Sequence, residues 1–282
     1  MTAGLQYLRA RYHPLHHVRS VTVLRRALAV VDVPCWISLP MIPWKLRVRA
    51  VRHASYVVLR GSPEPGLTAF LRASIDLFEP ASFWDIGANF GYYGFLAKSI
   101  RPELSVTFCE PDSGNASLVR ATIDRSARLG FTLCELAVSD ARGSAMFSTD
   151  SVTGATGTLE SGESSFAHRH WQGGPSIRVP TSTVDALAQS DDVSIVKIDV
   201  EGHEEQVIAG ALGTIAHCKP IIFFECFHGA TEIARALDPL DYLLLDVESG
   251  AAPTPTTDNY VALPATAQAQ LPALMRRWRA LR

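Results

Sequence analysis

Four ionisable side chains fall within six residues directly after an apolar run, in the segment Val196-Lys197-Ile198-Asp199-Val200-Glu201-Gly202-His203-Glu204. An apolar run of this kind predicts a buried strand, and open α/β sheets bind ligands outside the carboxyl ends of their strands. Carboxylate and imidazole groups gathered there can transfer protons or coordinate a metal ion. We therefore expect the chemistry of this protein at this strand end.

A second candidate region is the turn Asp85-Ile86-Gly87-Ala88-Asn89-Phe90-Gly91-Tyr92-Tyr93-Gly94. Its glycines would let the backbone approach a ligand closely, and the helix that follows would offer free amides. The spacing is G-x-x-x-G rather than the G-x-G-x-x-G of dinucleotide binding, because position 89 is not glycine. Asp85 suits a cationic or amine-bearing ligand better than a phosphate. A tight turn with a purely structural role is the alternative.

Glu110 follows Asp85 by about 25 residues and ends the next predicted strand, in Phe108-Cys109-Glu110-Pro111-Asp112. A carboxylate at the tip of the second strand can accept hydrogen bonds from both hydroxyls of a ribose. The combination of the glycine turn with this acid is more specific than either piece, and it predicts a nucleoside-binding site.

The elements that must position these residues alternate between strand and helix from about residue 67 onwards. Helices are predicted over 67–77 and 115–129, and strands over 82–86, 105–109, 131–138, 194–198, 220–224, 242–247 and 260–263. This alternation is typical of parallel βαβ units. The predicted fold class is therefore α/β, with a seven-stranded doubly wound sheet that carries helices on both faces.

Two segments differ from this pattern. Residues 1–60 contain ten Lys or Arg and a single acid, whereas the remainder contains sixteen basic and twenty-seven acidic residues. We predict a basic N-terminal extension over 1–65, which could cap the substrate side, and a main domain over 66–282. Contact of residues 1–60 with a membrane or another anionic surface is one interpretation of the charge, and a solvated or internally paired extension is the other. Residues 141–180, rich in Gly, Ser and Thr, predict an insertion with a hairpin and a loop that could act as a lid.

The composition narrows the class of protein. The chain has 282 residues, 47% of them hydrophobic and 19% charged, which is typical of a globular protein with a sizeable core. Its five cysteines are scattered without C-x-x-C spacing, which favours a reducing, cytoplasmic setting over a disulfide framework or a zinc site. No apolar run reaches the length of a membrane span. No nucleic-acid-binding motif is found, so we expect no nucleic-acid partner.

Taken together, the motifs resemble those of a large class of enzymes and, more narrowly, those of one family within that class. The glycine turn and Glu110 resemble the S-adenosylmethionine site of class I methyltransferases, which implies a Rossmann-like seven-stranded sheet. The segments 183–187, 196–204 and 222–225 narrow the resemblance to the FkbM family of methyltransferases, over roughly residues 75 to 250. The resemblance implies S-adenosylmethionine as cofactor and these cofactor-binding residues: Asp85, Gly87, Ala88, Asn89, Gly91, Glu110, Asn115, Asp140 and Asp199. It also implies O-methylation of a hydroxyl on a sugar, a glycoconjugate or a polyketide-type product, so the expected partner is a small-molecule or glycan acceptor.

Methyl transfer to oxygen requires in-line positioning and removal of the hydroxyl proton, because the sulfonium is already a strong electrophile. His203 is the natural general base at neutral pH. Asp199 would lie near the transferred methyl group, while Glu201 and Glu225 would support the base or bind the acceptor. Glu204 is expected to begin a helix, where an acid complements the helix dipole.

Three alternatives stay open at this point. Metal assistance is one, because oxygen and imidazole ligands suited to Mg²⁺ or Mn²⁺ are supplied by Asp199, Glu201, His203, Glu225 and His228. We do not predict a metal site, but the sequence does not decide the question. A catalytically silent methyltransferase-like binding module is the second alternative. A nicotinamide-dependent enzyme is the third and is disfavoured by the glycine spacing.

Overall fold

The computed structural model describes residues 30–54, 56, 64–149, 157–159, 176–188, 192–227 and 229–282. Its strands, in chain order, are β1 (Pro34–Ile37), β2 (Leu46–Arg49), β3 (Ser82–Ile86), β4 (Ser105–Cys109), β5 (Phe131–Cys134), β6 (Ala137–Val138), β7 (Gly143–Thr149), β8 (Gly157–Leu159), β9 (Ser176–Ser182), β10 (Ile195–Ile198), β11 (Ile221–Glu225), β12 (Tyr242–Asp246) and β13 (Asn259–Pro264). Its helices are α1 (Pro65–Phe78), α2 (Tyr92–Ile100), α3 (Ser113–Ser126), α4 (Val184–Ala188), α5 (Glu204–Ala209), α6 (Leu212–Cys218), α7 (Thr231–Leu237), α8 (Ala265–Gln268) and α9 (Leu271–Leu281).

Seven of the strands form one mixed sheet in the order β12-β13-β11-β10-β3-β4-β5. The pairs β11·β10, β10·β3, β3·β4 and β4·β5 are parallel, whereas β13 runs antiparallel to both of its neighbours. β4 and β5 follow β3 outward on one side, and β11 follows β10 outward on the other, so the strand order reverses between β3 and β10. A crevice that can receive a ligand forms at such a reversal, outside the carboxyl ends of the strands.

Both faces of the sheet are covered by helices, as the sequence predicts. One hydrophobic cluster joins alternate sheet residues to α1, α2, α3 and α9, and a second joins the intervening residues to α4, α5, α6 and α7. In β11, for example, Ile221 and Phe223 belong to the first cluster, while Ile222 and Phe224 belong to the second. This assignment follows from the two-residue period of a strand.

β13 runs antiparallel to its neighbours because the chain between β12 and β13 contains turns rather than the crossover helix that a parallel neighbour requires. One detail of the predicted sheet is wrong. The single strand predicted over 131–138 is divided. β5 ends at Cys134, which pairs with Cys109, the last residue of β4, and β6 then pairs with β9 in another sheet.

That second sheet has four strands in the order β6-β9-β7-β8 and is built largely from the predicted insertion. The hairpin expected within 141–180 is present as the antiparallel pair β7·β9. The loop predicted as a lid lies largely outside the described residues.

The described part of the N-terminal extension forms an antiparallel hairpin of β1 and β2. Its apolar residues Leu39, Ile42, Leu46 and Val48 are buried in the same cluster as α2 and α3. The backbone N–H of Arg47 donates to the Thr122 hydroxyl of α3 at 2.9 Å. The hairpin therefore packs directly on the main domain. Among the described residues, no helix has the length and apolarity needed to cross a membrane.

Candidate active site

The turn between β3 and α2 occupies the centre of the site. Gly87 and Gly91 have φ values of +76° and +85°, in the left-handed region that favours glycine. The N–H groups of Gly87 and Ala88 donate to the Cys109 carbonyl at 2.9 and 3.1 Å, which holds the turn against the end of β4. A Cβ atom on Gly87 would lie 1.9 Å from the Asp199 carbonyl oxygen, so only glycine lets the turn and the β10 end approach this closely.

Asp85 is buried beneath this turn rather than on the wall of a cavity. Its Oδ2 accepts a hydrogen bond from the N–H of Gly94 at 2.8 Å, in the first turn of α2. Burial raises the pKa of Asp85 to about 6, although Lys197 and the Gly94 N–H both lower it. In this structure the acid secures the start of α2.

Glu110 lies at the tip of β4, as expected, and is buried. Its Oε2 accepts from the N–H of Asn89 at 2.6 Å, and its Oε1 accepts from the N–H of Asp112 at 2.9 Å. Burial raises the pKa of Glu110 to about 8 despite these hydrogen bonds and one from the Asn115 side chain. The carboxyl group is thereby held in one orientation, between the glycine turn and the start of α3.

Lys197 is a component of the site to which sequence reasoning assigned no role. It is buried in β10, and its Nζ lies 2.8 Å from Asp199 Oδ2 and 4.7 Å from the centre of the Tyr93 ring. In the β10·β3 register Lys197 stands opposite Asp85. Burial alone would lower the pKa of Lys197, but Asp199, Asp85 and Glu64 outweigh it and raise that pKa above its usual value. Its position as a charged residue within the apolar strand β10 is the sequence signal that could have identified it.

Two further carboxyl groups surround this ion pair. Tyr93 donates its hydroxyl to Glu64, and burial raises the pKa of Glu64 even though Lys197 lowers it. Burial also raises the pKa of Glu225, at the end of β11, and the nearby carboxylates of Asp199, Glu64 and Glu201 raise it further. The β10 end thus gathers acidic groups around the buried Lys197 ammonium.

His203 directly precedes α5 and is 4% exposed. Its Nε2 lies 2.9 Å from the Ser139 hydroxyl, which in turn donates to Asp140 Oδ1 at 3.1 Å. Its Nδ1 has no hydrogen-bond partner in the part of the chain that the structure describes. Burial lowers the pKa of His203, against the influence of Asp140, so the ring is neutral at pH 7.

The approach of His203 to Ser139 depends on the turn after α5. A Cβ atom on Gly210 would lie 2.1 Å from the Ser139 carbonyl oxygen, so glycine at this position lets the turn approach Ser139.

Glu204 begins α5 as predicted, and its two carboxylate oxygens accept from the Gly202 N–H at 3.0 and 3.1 Å. Glu204 therefore lies at the start of α5 as expected, and its carboxyl group holds the turn that precedes the helix.

A cavity that opens to solvent connects several of these groups; it measures about 690 Å³ when the solvent space at its mouth is included. The predicted site residues on its wall are Gly87, Asn89, Glu110, Asn115, Asp199, Glu201 and His203. Asp85, Ala88, Gly91, Asp140 and Glu225 are not on that wall; Ala88 and Gly91 shape the turn, and Asp140 is exposed. Apolar wall residues that the sequence did not single out are Leu136, Phe147 and Leu159.

The described residues do not form a ligand cluster that would support the metal alternative. Within the described ranges, no group of three or more His, Cys, Asp or Glu side chains is arranged to hold a metal ion. His228, which the metal interpretation includes, lies outside those ranges.

Comparison with known proteins gives the family. Residues 85–250 match the methyltransferase FkbM domain, which is more than half of the chain. The chain belongs to the FkbM methyltransferase family. The matched segment contains the glycine turn, Glu110, the Lys197 to Glu204 string and Glu225, whereas the N-terminal hairpin precedes it.

Solved structures similar to this FkbM-family chain are remote from it in sequence. The methyltransferase FkbM of Methylobacillus flagellatus KT is 16% identical with a TM-score of 0.46, over 68% of this chain and 47% of that one. A putative caffeoyl-CoA O-methyltransferase from Staphylococcus aureus is 10% identical with a TM-score of 0.43, over 92% of this chain and 100% of that one. An S-adenosylmethionine-dependent methyltransferase from Agrobacterium tumefaciens is 8% identical with a TM-score of 0.42, over 82% and 70% of the two chains. This chain thus spans about half the length of the Methylobacillus protein. No curated protein matches its sequence.

Proposed function

We propose that this FkbM-family chain is an O-methyltransferase that transfers the methyl group of S-adenosylmethionine to a hydroxyl of a sugar, a glycoconjugate or a polyketide-type product. The observation that carries the proposal is the single cavity wall shared by Gly87, Glu110, Asp199 and His203. The donor-binding turn and the His203 side chain thus line the same space. The strand order, with its reversal between β3 and β10, supports a Rossmann-like class I arrangement.

The residues present fit the chemistry of the cofactor. The Glu110 carboxyl group offers two oxygens to the two hydroxyls of a ribose, while Leu136, Val138 and Leu159 offer apolar surface to an adenine ring. When bound, the cofactor would supply an electrophilic methyl group, and the chain would have to position the acceptor and remove its proton.

His203 is suited to that proton removal because of the hydrogen bonds around it. Ser139 has one hydroxyl proton and gives it to Asp140, so its oxygen accepts from the Nε2–H of His203. This assignment leaves the lone pair on Nδ1, which is buried and has no partner in the described part of the chain. The proposed reaction therefore needs a shift of the His203 ring that brings Nδ1 to the acceptor. Nδ1 then takes the acceptor proton, and the Ser139–Asp140 pair stabilises the imidazolium that forms. Asp199, held by Lys197, would orient the acceptor hydroxyl.

The acceptor class rests on the family resemblance and on the polar groups at the β10 end. Carboxylates such as Glu201 can accept hydrogen bonds from the several hydroxyls of a sugar. Contact of residues 1–60 with an anionic surface stays a prediction, because residues 1–29 lie outside the described part. The cytoplasmic location also stays a prediction.

Calorimetry with S-adenosylhomocysteine and a methyl-transfer assay with labelled S-adenosylmethionine and a panel of hydroxylated acceptors test this proposal. We expect wild type to bind the nucleoside and to label at least one hydroxyl compound. The His203→Ala variant should bind normally and lose about 10²- to 10⁴-fold in turnover, the usual contribution of a general base. His217→Ala, on the exposed side of α6, is the matched control.

Three results would contradict parts of this proposal. Failure of wild type to bind either nucleoside would reject the enzyme interpretation. Binding without transfer to any acceptor would favour a silent binding module. Retained turnover in His203→Ala would reject its role as the base, and loss of turnover in EDTA with recovery in Mg²⁺ or Mn²⁺ would favour metal assistance.

A further inference from the structure

His53 of the N-terminal extension contacts the glycine turn between β3 and α2, which we call the donor turn. It is 2% exposed and follows β2, outside the segment that matches the family. Its Nε2 lies 2.9 Å from Asn89 Oδ1, and its Nδ1 lies 3.0 Å from the backbone nitrogen of Arg49. The imidazole also packs 4.7 Å from the centre of the Phe90 ring. A residue from the extension is thereby inserted between the hairpin and the turn.

These two contacts determine the tautomer of His53. A backbone N–H is only a donor, so Nδ1 must present its lone pair to Arg49. The proton of a neutral ring is then on Nε2, and it is donated to the Asn89 side-chain oxygen. Burial lowers the pKa of His53 to about 3, although the bond to Asn89 raises it, so the ring is neutral across the physiological range.

Asn89 is the residue through which His53 can affect the donor site. It occupies the position where the dinucleotide-binding pattern has glycine, and it has a φ of +54°, an uncommon value for a residue with a side chain. In that conformation its N–H donates to Glu110 Oε2 at 2.6 Å. The side chain of Asn89 therefore contacts His53 of the extension, while its backbone N–H contacts Glu110, the proposed ribose-binding residue.

A second contact from the same segment reaches the other side of Glu110. Arg52 Nη1 lies 3.3 Å from Asn115 Oδ1 and 3.9 Å from Asp112 Oδ1. Asp112 and Asn115 both hydrogen-bond to Glu110. The residues that hold the carboxyl group are thus supported on both sides by the chain just after β2.

We propose that His53 is a positioning residue of the donor site, whose Nε2–H fixes the Asn89 side chain and so holds the Asn89 N–H on Glu110. The proposal rests on the proposed function, because it assigns cofactor binding to this cavity. It implies that the FkbM domain of this chain needs residues N-terminal to the matched segment in order to bind its cofactor tightly.

Two substitutions separate the two contacts of His53. The amide nitrogen of glutamine can occupy the place of Nε2 and donate to Asn89, whereas the oxygen of asparagine can occupy the place of Nδ1 and accept from Arg49. We expect His53→Gln to bind S-adenosylhomocysteine within about threefold of wild type. His53→Asn should bind about tenfold more weakly, the usual effect of losing one buried hydrogen bond. His217→Gln and His217→Asn, on an exposed surface, should both bind as wild type.

A double-mutant cycle with Asn89→Gly tests whether His53 acts through Asn89. Glycine accepts a positive φ and has no side chain for His53 to hold, so adding His53→Asn to Asn89→Gly should change the dissociation constant less than twofold. Calorimetry measures each constant, and thermal unfolding without ligand measures stability separately. His53→Gln keeps a polar side chain at position 53, and Asn89→Gly keeps the native His53. The test therefore does not depend on the folding of any one variant.

The outcomes distinguish this proposal from the proposed function. Equal weakening by His53→Gln and His53→Asn, or a full tenfold effect of His53→Asn in the Asn89→Gly background, would overturn the positioning role. A wild type that binds and variants that all bind equally would also overturn it while leaving the proposed function intact. A wild type that binds neither nucleoside would reject the proposed function itself.

Discussion

Replacing Lys197 by methionine tests how the β10 end is stabilised. Methionine is a long unbranched side chain without charge, so the substitution removes the ammonium while filling much of its space. In wild type the Lys197 side chain is 6% exposed, with its Nζ 2.8 Å from Asp199 Oδ2 and with Asp85 opposite it in the neighbouring strand. The variant leaves these carboxyl groups without their buried cation.

The expected cost follows from the distance and the burial. Two unit charges 2.8 Å apart attract by about 6 kcal/mol at an effective dielectric constant of about 20, before desolvation is subtracted. Removal of one partner from a buried ion pair typically destabilises a protein by about 3–5 kcal/mol. Because the Asp199 side chain is 30% exposed, water can solvate it in the variant. We therefore expect a loss near the lower end, about 3 kcal/mol in the free energy of unfolding.

The loss should also depend on pH. Lys197 lowers the pKa of Asp85, Glu64 and Glu225, so those values rise when it is removed. A carboxyl group whose pKa is raised by folding stabilises the folded state below its unfolded pKa, and that stability is lost as pH rises through the folded pKa. With the pKa of Asp85 already about 6 in wild type, the additional loss should develop between pH 6 and pH 8. Each further unit of pKa corresponds to about 1.4 kcal/mol.

Urea denaturation of wild type and Lys197→Met at pH 5, 6, 7 and 8 measures both effects. Lys45→Met is the matched control, because Lys45 is exposed and the same change there should cost less than about 0.5 kcal/mol at every pH. We expect the destabilisation by Lys197→Met to be larger at pH 8 than at pH 5. A loss under about 1 kcal/mol, or one that is the same at all four values, would refute the electrostatic reasoning.

Two further substitutions test the donor side. Gly87→Ala places a methyl group 1.9 Å from the Asp199 carbonyl oxygen and should abolish binding of S-adenosylhomocysteine in calorimetry. Gly229→Ala is the control: Gly229 has a φ of +81°, and no atom lies within 4 Å of the new Cβ, so this variant has the backbone strain without the steric clash. Glu110→Gln, compared with wild type at pH 9 where the Glu110 carboxyl group is ionised, should bind the nucleoside at least about tenfold more weakly, because an amide keeps one acceptor oxygen where the carboxylate has two; equal affinity would show that Glu110 does not contact the ribose.

The elements that the sequence predicts best are those with local signals. β3 and β4 have the bounds expected from their apolar runs, and each is followed by a residue of the site. Gly87 could be identified because a turn between a strand and a helix with a ligand nearby commonly needs glycine. Glu110 could be identified because the end of β4 is adjacent to the end of β3 in a parallel sheet.

The parts that the sequence did not predict depend on contacts between distant residues. The division of 131–138 into β5 and β6 is caused by the end of β4 at Cys109, which leaves the chain beyond Cys134 without a partner in the main sheet. Ser139 meets His203 only because Gly210 lets the turn after α5 approach it. Neither relation leaves a pattern within a window of neighbouring residues.

The donor turn is held from three parts of the chain, and this arrangement explains how it can lack the usual second glycine. The Cys109 carbonyl accepts its first two N–H groups, the Asp199 carbonyl contacts Gly87, and His53 holds the side chain of Asn89. A residue in a sparsely populated conformation persists when the surrounding structure determines it, and here Asn89 has both its side chain and its N–H engaged. The turn would then be ordered before any ligand arrives, which lowers the entropy cost of binding. Asn89 therefore supplies the backbone shape of a glycine together with a side chain through which the N-terminal hairpin can support the turn.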